Sequence, residues 1–428
     1  MNGIRQASFN YSLSPNSTMF ASVKNLLENL RRHETFFDVL WIGHWISDKF
    51  GLSPLEYSGQ NKLPTYKRVP YAYLFAVFVQ IAIFVLYIKA DTVGSKSSSV
   101  ILRYGMRCVL LVGTLFLVIS TSLNVCFRKR GMDNLLDIHK FDLKLKTIGY
   151  QIDLKAQNHW FNMLAIWMTV FLWLIIAVAA YLTYLAMNGI LITFVVVFVG
   201  VSITNIMVTT LCGQHAILQY AVQYRFKSLN RYLCEIFPTE MELVNHFRLF
   251  YISQERSVNS RRVVEIANLH SRLIQIVDRF NQHTGIQILL THLGATCVTI
   301  LSWFTMYTIL VNADSVSVYM GIHNFLWSVY YVIYQMFNAI LGQMIHSESK
   351  RMGKLIHKAV GFVTDDEIRE KLVHFSDQIH QRTAAVSCEW FAIDSALIFS
   401  TLGAITTYLV ILIQFDVTYQ QLYPSHEI

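Results

Sequence analysis

The sequence predicts an all-α membrane protein with seven transmembrane helices, a cytoplasmic N-terminus and long cytoplasmic helical extensions. Seven apolar stretches, about 69–89, 101–125, 160–187, 190–222, 284–311, 319–343 and 392–415, each reach the length a bilayer-spanning helix needs. Hydrophobic residues form 54% of the chain and charged residues only 14%, where soluble domains carry ~25% charged residues. Of the 35 Lys and Arg residues, 31 fall on one side of these stretches and four on the other. Basic loops stay cytoplasmic, which puts the N-terminus inside and the C-terminus outside.

Residues 1–68 are polar and mixed, with eight basic residues from Arg5 to Arg68 and no short apolar run with a cleavage site. They read as a cytoplasmic N-terminal region without a cleaved signal peptide. The sequons at Asn10 and Asn16 fall on this side and are expected to be unused. The four basic residues of the opposite side, Lys89, Lys96, Arg103 and Arg107, lie around the first external loop. The third loop is little more than Asn188-Gly189 and the fifth is a short turn around Asp314, so a large extracellular binding domain is excluded.

The other side is heavy. The fourth span continues as charged helical sequence to Phe237, where Pro238 breaks it. A second helical run from Glu240 feeds the fifth span and carries Ile266, Leu273, Val277 and Phe280 near one face. In the sixth loop, Thr364-Asp365-Asp366-Glu367 reads as a capping box. Ile368, Leu372, Phe375, Ile379, Thr383, Val386 and Trp390 then recur at helical spacing as one apolar stripe. The segments about 223–283 and 344–391 are thus expected to be cytoplasmic anchor segments of one transmembrane domain, 69–428. The stripe fits packing against the other cytoplasmic helices or lying on the membrane surface.

The net charge of +8 is mostly the topological bias, so no nucleic-acid partner is expected. The sequence holds no Gly-rich phosphate loop, CxxC, HExxH or GxSxG. Fifteen histidines are scattered without ligand spacing, so no enzyme, cofactor or metal site is expected. Spans three, four, five and six contain no Lys, Arg, Asp or Glu and span one only Lys89 at its very end, which is poor equipment for an ion-coupled transporter.

The seventh span differs from the rest. Ser400, Gly403, Thr407, Ile411 and Gln414 share one face, small or polar for most of its length. Close helix packing and a narrow water path built from several copies both fit this face. Asp394 at the inner end and Asp416 at the outer end, with Glu389 nearby, suit attraction of cations to a pore mouth. Ile411 and Phe415 bracket Gln414, an arrangement that allows a gate by dewetting.

Aromatic and polar residues gather on the predicted outer halves of other spans: Tyr181 and Tyr184 on the third, Trp303 and Tyr307 on the fifth, Asn324, Trp327, Tyr330 and Tyr331 on the sixth. Aromatic faces with a few hydrogen-bonding tips suit small organic ligands, and they also suit interface belts and bundle cores.

The seventh span ends in Thr407-Tyr408-Leu409-Val410-Ile411-Leu412-Ile413-Gln414-Phe415. This string fits the TYhhhhhQF signature, with h any apolar residue, and the chain resembles the insect gustatory receptors that carry it. The resemblance implies the insect chemoreceptor channel fold and a tastant-gated, non-selective cation channel in the plasma membrane. It also implies a homotetramer, or a tetramer with related subunits, whose last helix lines the central pore, with a gate near Gln414 and Phe415. It places most subunit contacts in the intracellular anchor. The expected partners are a small-molecule tastant, other copies of the chain and the lipid bilayer. An odorant receptor subunit and a secondary transporter of small organic molecules are the alternatives.

Overall fold

A computed structural model describes residues 36, 37, 40, 55–56, 65–66, 77–82, 85, 100–186, 191–237, 256–311, 315–388 and 390–422. The first predicted span lies largely outside them, and its described residues are helical. Asn10, Asn16, Asn188, Gly189, Pro238, Glu240, Asp314 and Glu389 lie outside the described residues altogether. Two short strands, β1 (Leu55–Glu56) and β2 (Thr65–Tyr66), pair antiparallel.

Eight helices follow among the described residues. They are α1 (Val100–Cys126), α2 (Arg128–Thr147), α3 (Leu154–Ala186) and α4 (Leu191–Ile236), then α5 (Arg256–Val311), α6 (Ser315–Phe362), α7 (Asp366–Gln381) and α8 (Ser395–Leu422). By length and composition three of them, α3, α5 and α8, are apolar enough to cross a membrane, or four if α1 and α2 are taken together. Those two meet at a 63° bend. The helices α4 and α6 cover the fourth and sixth predicted spans and run on without a break. At 56 residues, α5 is about 84 Å long, so most of it extends beyond a hydrocarbon core of about 30 Å.

The main hydrophobic core lies in this extension, a distal layer built from α2, the C-terminal parts of α4 and α6, the N-terminal part of α5, and α7. Ile266, Leu273, Val277 and Phe280 of α5 are all buried there, as their spacing predicts. So are Ile368, Leu372, Phe375 and Ile379 of α7. The first part of the apolar stripe therefore faces its own subunit and is not available to another copy. Two features differ from the sequence expectation. The N-cap of α7 is Asp365, whose carboxylate accepts the Glu367 N–H, while Glu367 instead takes the Ser260 hydroxyl. The helix also ends at Gln381, so Thr383 and Val386 lie in extended chain and Trp390 is exposed.

Polar contacts explain that ending. Asn281 of α5 donates to the Ala385 carbonyl at 2.8 Å and accepts the Ser387 N–H at 3.1 Å. Ser349 of α6 accepts the Ala384 N–H at 3.1 Å. These bonds satisfy the extended backbone between two helices, and Ala384 and Val386 add buried apolar surface.

One ion pair ties the layer together. The Arg225 side chain is fully buried, binds both carboxylate oxygens of Asp142, and donates to the Ala221 carbonyl at 2.8 Å. Its guanidinium also lies 4.4 Å from the centre of the Phe36 ring. Burial pushes the Asp142 carboxyl above its ordinary range, and the Arg225 charge opposes that shift.

Candidate functional site

The α8 helix is the least covered of the long apolar helices. Asp394 caps it, accepting the N–H groups of Ala396 and Leu397 at 3.0 and 3.2 Å. Thr401 and Ile405 are buried against α5 and α6, and His292 of α5 meets the Thr401 hydroxyl at 3.0 Å. A small cleft beside this contact is lined by His292, Gln335, Thr401 and Ile405 among others. Ser400, Gly403, Thr407, Ile411, Gln414 and Phe415 are all exposed. Gly403 and Thr407 each follow a buried position by two residues, about 200° around the helix. The small and polar stripe thus lies almost opposite the face that packs within the subunit. The Ser400 and Thr407 hydroxyls donate back to the carbonyls of Ala396 and Gly403, which leaves their acceptor lone pairs facing outward.

The two acids have different settings. Asp394 is half-buried and occupied with capping. Asp416 is 3% exposed, held within its own subunit instead of projecting freely at the end of the helix.

The predicted aromatic residues separate into three groups. Trp327, Tyr330 and Tyr331 come together, with ring centroids 5.9 to 6.4 Å apart. Phe171 and Leu172 of α3 close one side. From α4, Thr209 accepts the Tyr330 hydroxyl at 2.8 Å and Asn205 accepts that of Tyr331. Trp327 is 4% exposed, and its indole N–H has no hydrogen-bond partner among the described residues. Asn324, one turn before Trp327, is half-buried. On α5, Trp303 packs on Phe325 at 6.1 Å and Tyr307 stacks on Phe304 at 6.0 Å. Phe325 precedes Trp327 by two residues, so Trp303 meets the other side of α6. Tyr181 and Tyr184 are 63% and 54% exposed on the outward face of α3 and do not join the cluster. That face also carries Trp160, Trp167, Val170 and Trp173, a surface suited to lipid.

Sequence reasoning missed Asn205, Thr209 and Phe171. The first two form a polar pair four residues apart inside an apolar run, which was the available signal. Among the described residues, no group of three or more His, Cys, Asp and Glu side chains gathers to hold a metal ion.

Comparison with known proteins fits this architecture. The fold is that of the insect olfactory receptor OR5 from Machilis hrabei, with a TM-score of 0.62 and 9% identity over 92% of this chain and 99% of that one. The same receptor in complex with eugenol aligns with a TM-score of 0.58 and 11% identity, over 88% of this chain and 97% of that one. In sequence, the chain is 38% identical over 66 residues to putative gustatory receptor 28a of Drosophila melanogaster, and 38% over 69 residues to putative gustatory receptor 28b. Each match spans about 15% of the relative's length. The model of one family, the 7tm chemosensory receptors, matches residues 42–419. This chain is therefore no enzyme: it belongs to the 7tm chemosensory receptor family.

Proposed function

We propose that the chain is a gustatory receptor acting as a tastant-gated, non-selective cation channel in the plasma membrane. Four copies surround a pore lined by α8, the distal layer is cytoplasmic, and the C-terminus is outside. The observation that carries this reading is the free face of α8, where Ser400, Gly403, Thr407, Ile411 and Gln414 point away from the subunit's own packing face. Small and hydroxyl-bearing side chains gain nothing from lipid. They gain from close approach of identical helices and from contact with water. Gln414 and Phe415 form the gate in this reading.

The ligand is a small organic molecule seated against Trp327, Tyr330 and Tyr331, with Asn205 and Thr209 fixing the hydroxyls. The unpartnered Trp327 N–H supplies a donor to it. An olfactory receptor of the same fold has been solved with eugenol, which supports this ligand class. The local likeness to gustatory receptors and the Thr407–Phe415 motif favour taste over smell.

Expression alone in cells without chemoreceptors, with current recorded across a panel of tastants and odorants, tests the reading. A tastant-evoked cation current is expected. With cysteines placed along α8, a water-soluble thiol reagent is expected to modify Ser400→Cys, Thr407→Cys, Ile411→Cys and Gln414→Cys in the open state and to spare Leu409→Cys and Leu412→Cys. Even labelling around the helix refutes the pore, and responses confined to odorants favour an odorant receptor subunit.

A further inference from the structure

A polar clamp holds α8 to the rest of the subunit. His292 Nε2 of α5 stands 3.0 Å from the Thr401 hydroxyl. That hydroxyl also donates to the Leu397 carbonyl at 2.7 Å. A carbonyl can only accept, so the single hydroxyl hydrogen goes there, and the Thr401 oxygen accepts from His292 Nε2–H. The main chain of the same histidine is gripped from α6. Gln335 donates to the His292 carbonyl at 3.0 Å and to the Thr296 hydroxyl at 3.3 Å. Thr296 in turn donates its hydroxyl to that carbonyl at 2.8 Å. One residue of α5 is thus bonded to α6 through its backbone and to α8 through its ring.

The two ends of this clamp reach the two parts of the candidate site. Gln335 lies one turn along α6 from Tyr331, whose hydroxyl Asn205 accepts. Thr401 is 9% exposed, on the packing face of α8. Helix geometry puts Thr407 and Gln414 roughly 120–140° around the axis from it. Apolar packing, such as that of Ile405, is non-directional and tolerates some turning of the helix. A hydrogen bond is directional and does not. We infer that His292 is a positioning residue: its bond to Thr401 sets the rotation of α8 against α5 and α6, and so the direction in which the polar stripe points. The inference rests on the reading of α8 as the pore helix.

Currents from the full-length receptor test it, evoked by the panel compound that activates the parent most strongly. Thr401→Val keeps the volume and removes the hydroxyl, and His292→Leu removes the ring donor. Each is expected to shift the ratio of basal to evoked current by about two- to tenfold, the size of one net hydrogen bond, and both in the same direction. The double variant is expected to shift no further than either single one, because the same bond is lost once. Thr401→Ser and His292→Gln keep an acceptor oxygen and an N–H donor, and are expected to restore most of the parent ratio. Additive shifts overturn the inference. So do conservative replacements that behave like the removals, since volume is then what matters. An unshifted ratio in Thr401→Val at normal surface expression overturns it as well. A parent that passes no current with any compound defeats the channel reading alone, and hydrogen exchange of the purified protein then decides the clamp. Faster exchange of α8 in the two removals, recovered in the two replacements, is expected there, and unaltered exchange overturns the inference.

Discussion

The carbonyl oxygen of Ile393 stands 2.0 Å from where a β-carbon on Gly342 would be. No side chain fits between them, so α6 and the chain leading into α8 touch backbone to backbone. This contact joins the helix that carries Trp327 and Tyr331 to the start of the helix that carries the polar stripe. Gly342→Ala must push the two apart, because the obstructing atom is backbone and has no rotamer to change. The expected result is a lower thermal midpoint and altered basal current. Gly353→Ala, whose β-carbon would meet the Ile379 side chain at an ordinary 3.4 Å, serves as the control and is expected to behave like the parent. A silent Gly342→Ala contradicts the close approach.

Arg225 and Asp142 make a second sharp case. Arg225→Met leaves a carboxylate in the distal layer without its partner, at a cost of about 3–5 kcal/mol. Arg225→Met combined with Asp142→Leu removes both charges and is expected to recover most of the loss. Denaturant midpoints of the parent, Arg225→Met and the double variant give the comparison, and equal stability of the single and double variants counts against the pairing.

The α7 stripe predicts unfolding and not mere dissociation. Leu372 and Phe375 are buried against helices of the same chain. Leu372→Asp or Phe375→Asp places a charge there without a partner. Protease nicking near α7 and loss of folded monomer are expected together. A folded, protease-resistant monomer that only fails to assemble would show that the stripe contacts a second copy.

Acid weakens the same layer through His270. Its ring sits between Phe226 and Phe375, with centroids 5.5 and 5.7 Å away. Burial pulls its pKa down from 6.5 to about 4. Above 6.5 the ring is neutral in folded and unfolded chains alike. Below that, the unfolded chain binds a proton that the folded chain refuses until near 4, so stability falls across this window. The thermal midpoint is expected to drop as pH is lowered from about 7 to about 5, and His270→Phe is expected to flatten that drop. An unchanged pH slope in the variant assigns the effect to another group.

Much of this fold was legible because long apolar runs and basic loops are direct consequences of the bilayer. The α2 helix was harder. Leu135, Ile138, Phe141 and Leu145 carry its buried face, but the surrounding Lys and Asp residues mask it as a charged loop. The end of α7 was not readable from spacing. Thr383, Val386 and Trp390 keep a helical period while the chain is already extended, because Asn281 and Ser349 capture the backbone from other helices. At the aromatic cluster, Trp327, Tyr330 and Tyr331 could be picked from one helix. Tyr181 and Tyr184 could not be separated from them, since a tyrosine facing lipid and one facing a partner look alike in sequence. Asp416 shows the same limit: its place at the helix end is sequence, and its burial is tertiary.

The unbroken length of α5 makes it a lever. In the proposed arrangement its fulcrum is the boundary where the membrane ends and the distal layer begins, and about 54 Å of rod lies beyond a 30 Å core. A tilt of roughly 5° within the bilayer sweeps the far tip by about 5 Å. The far end is clamped by α2, α4, α6 and α7. Rearrangement in the membrane must therefore either stay small at α5 or be felt at once by every helix in the layer outside.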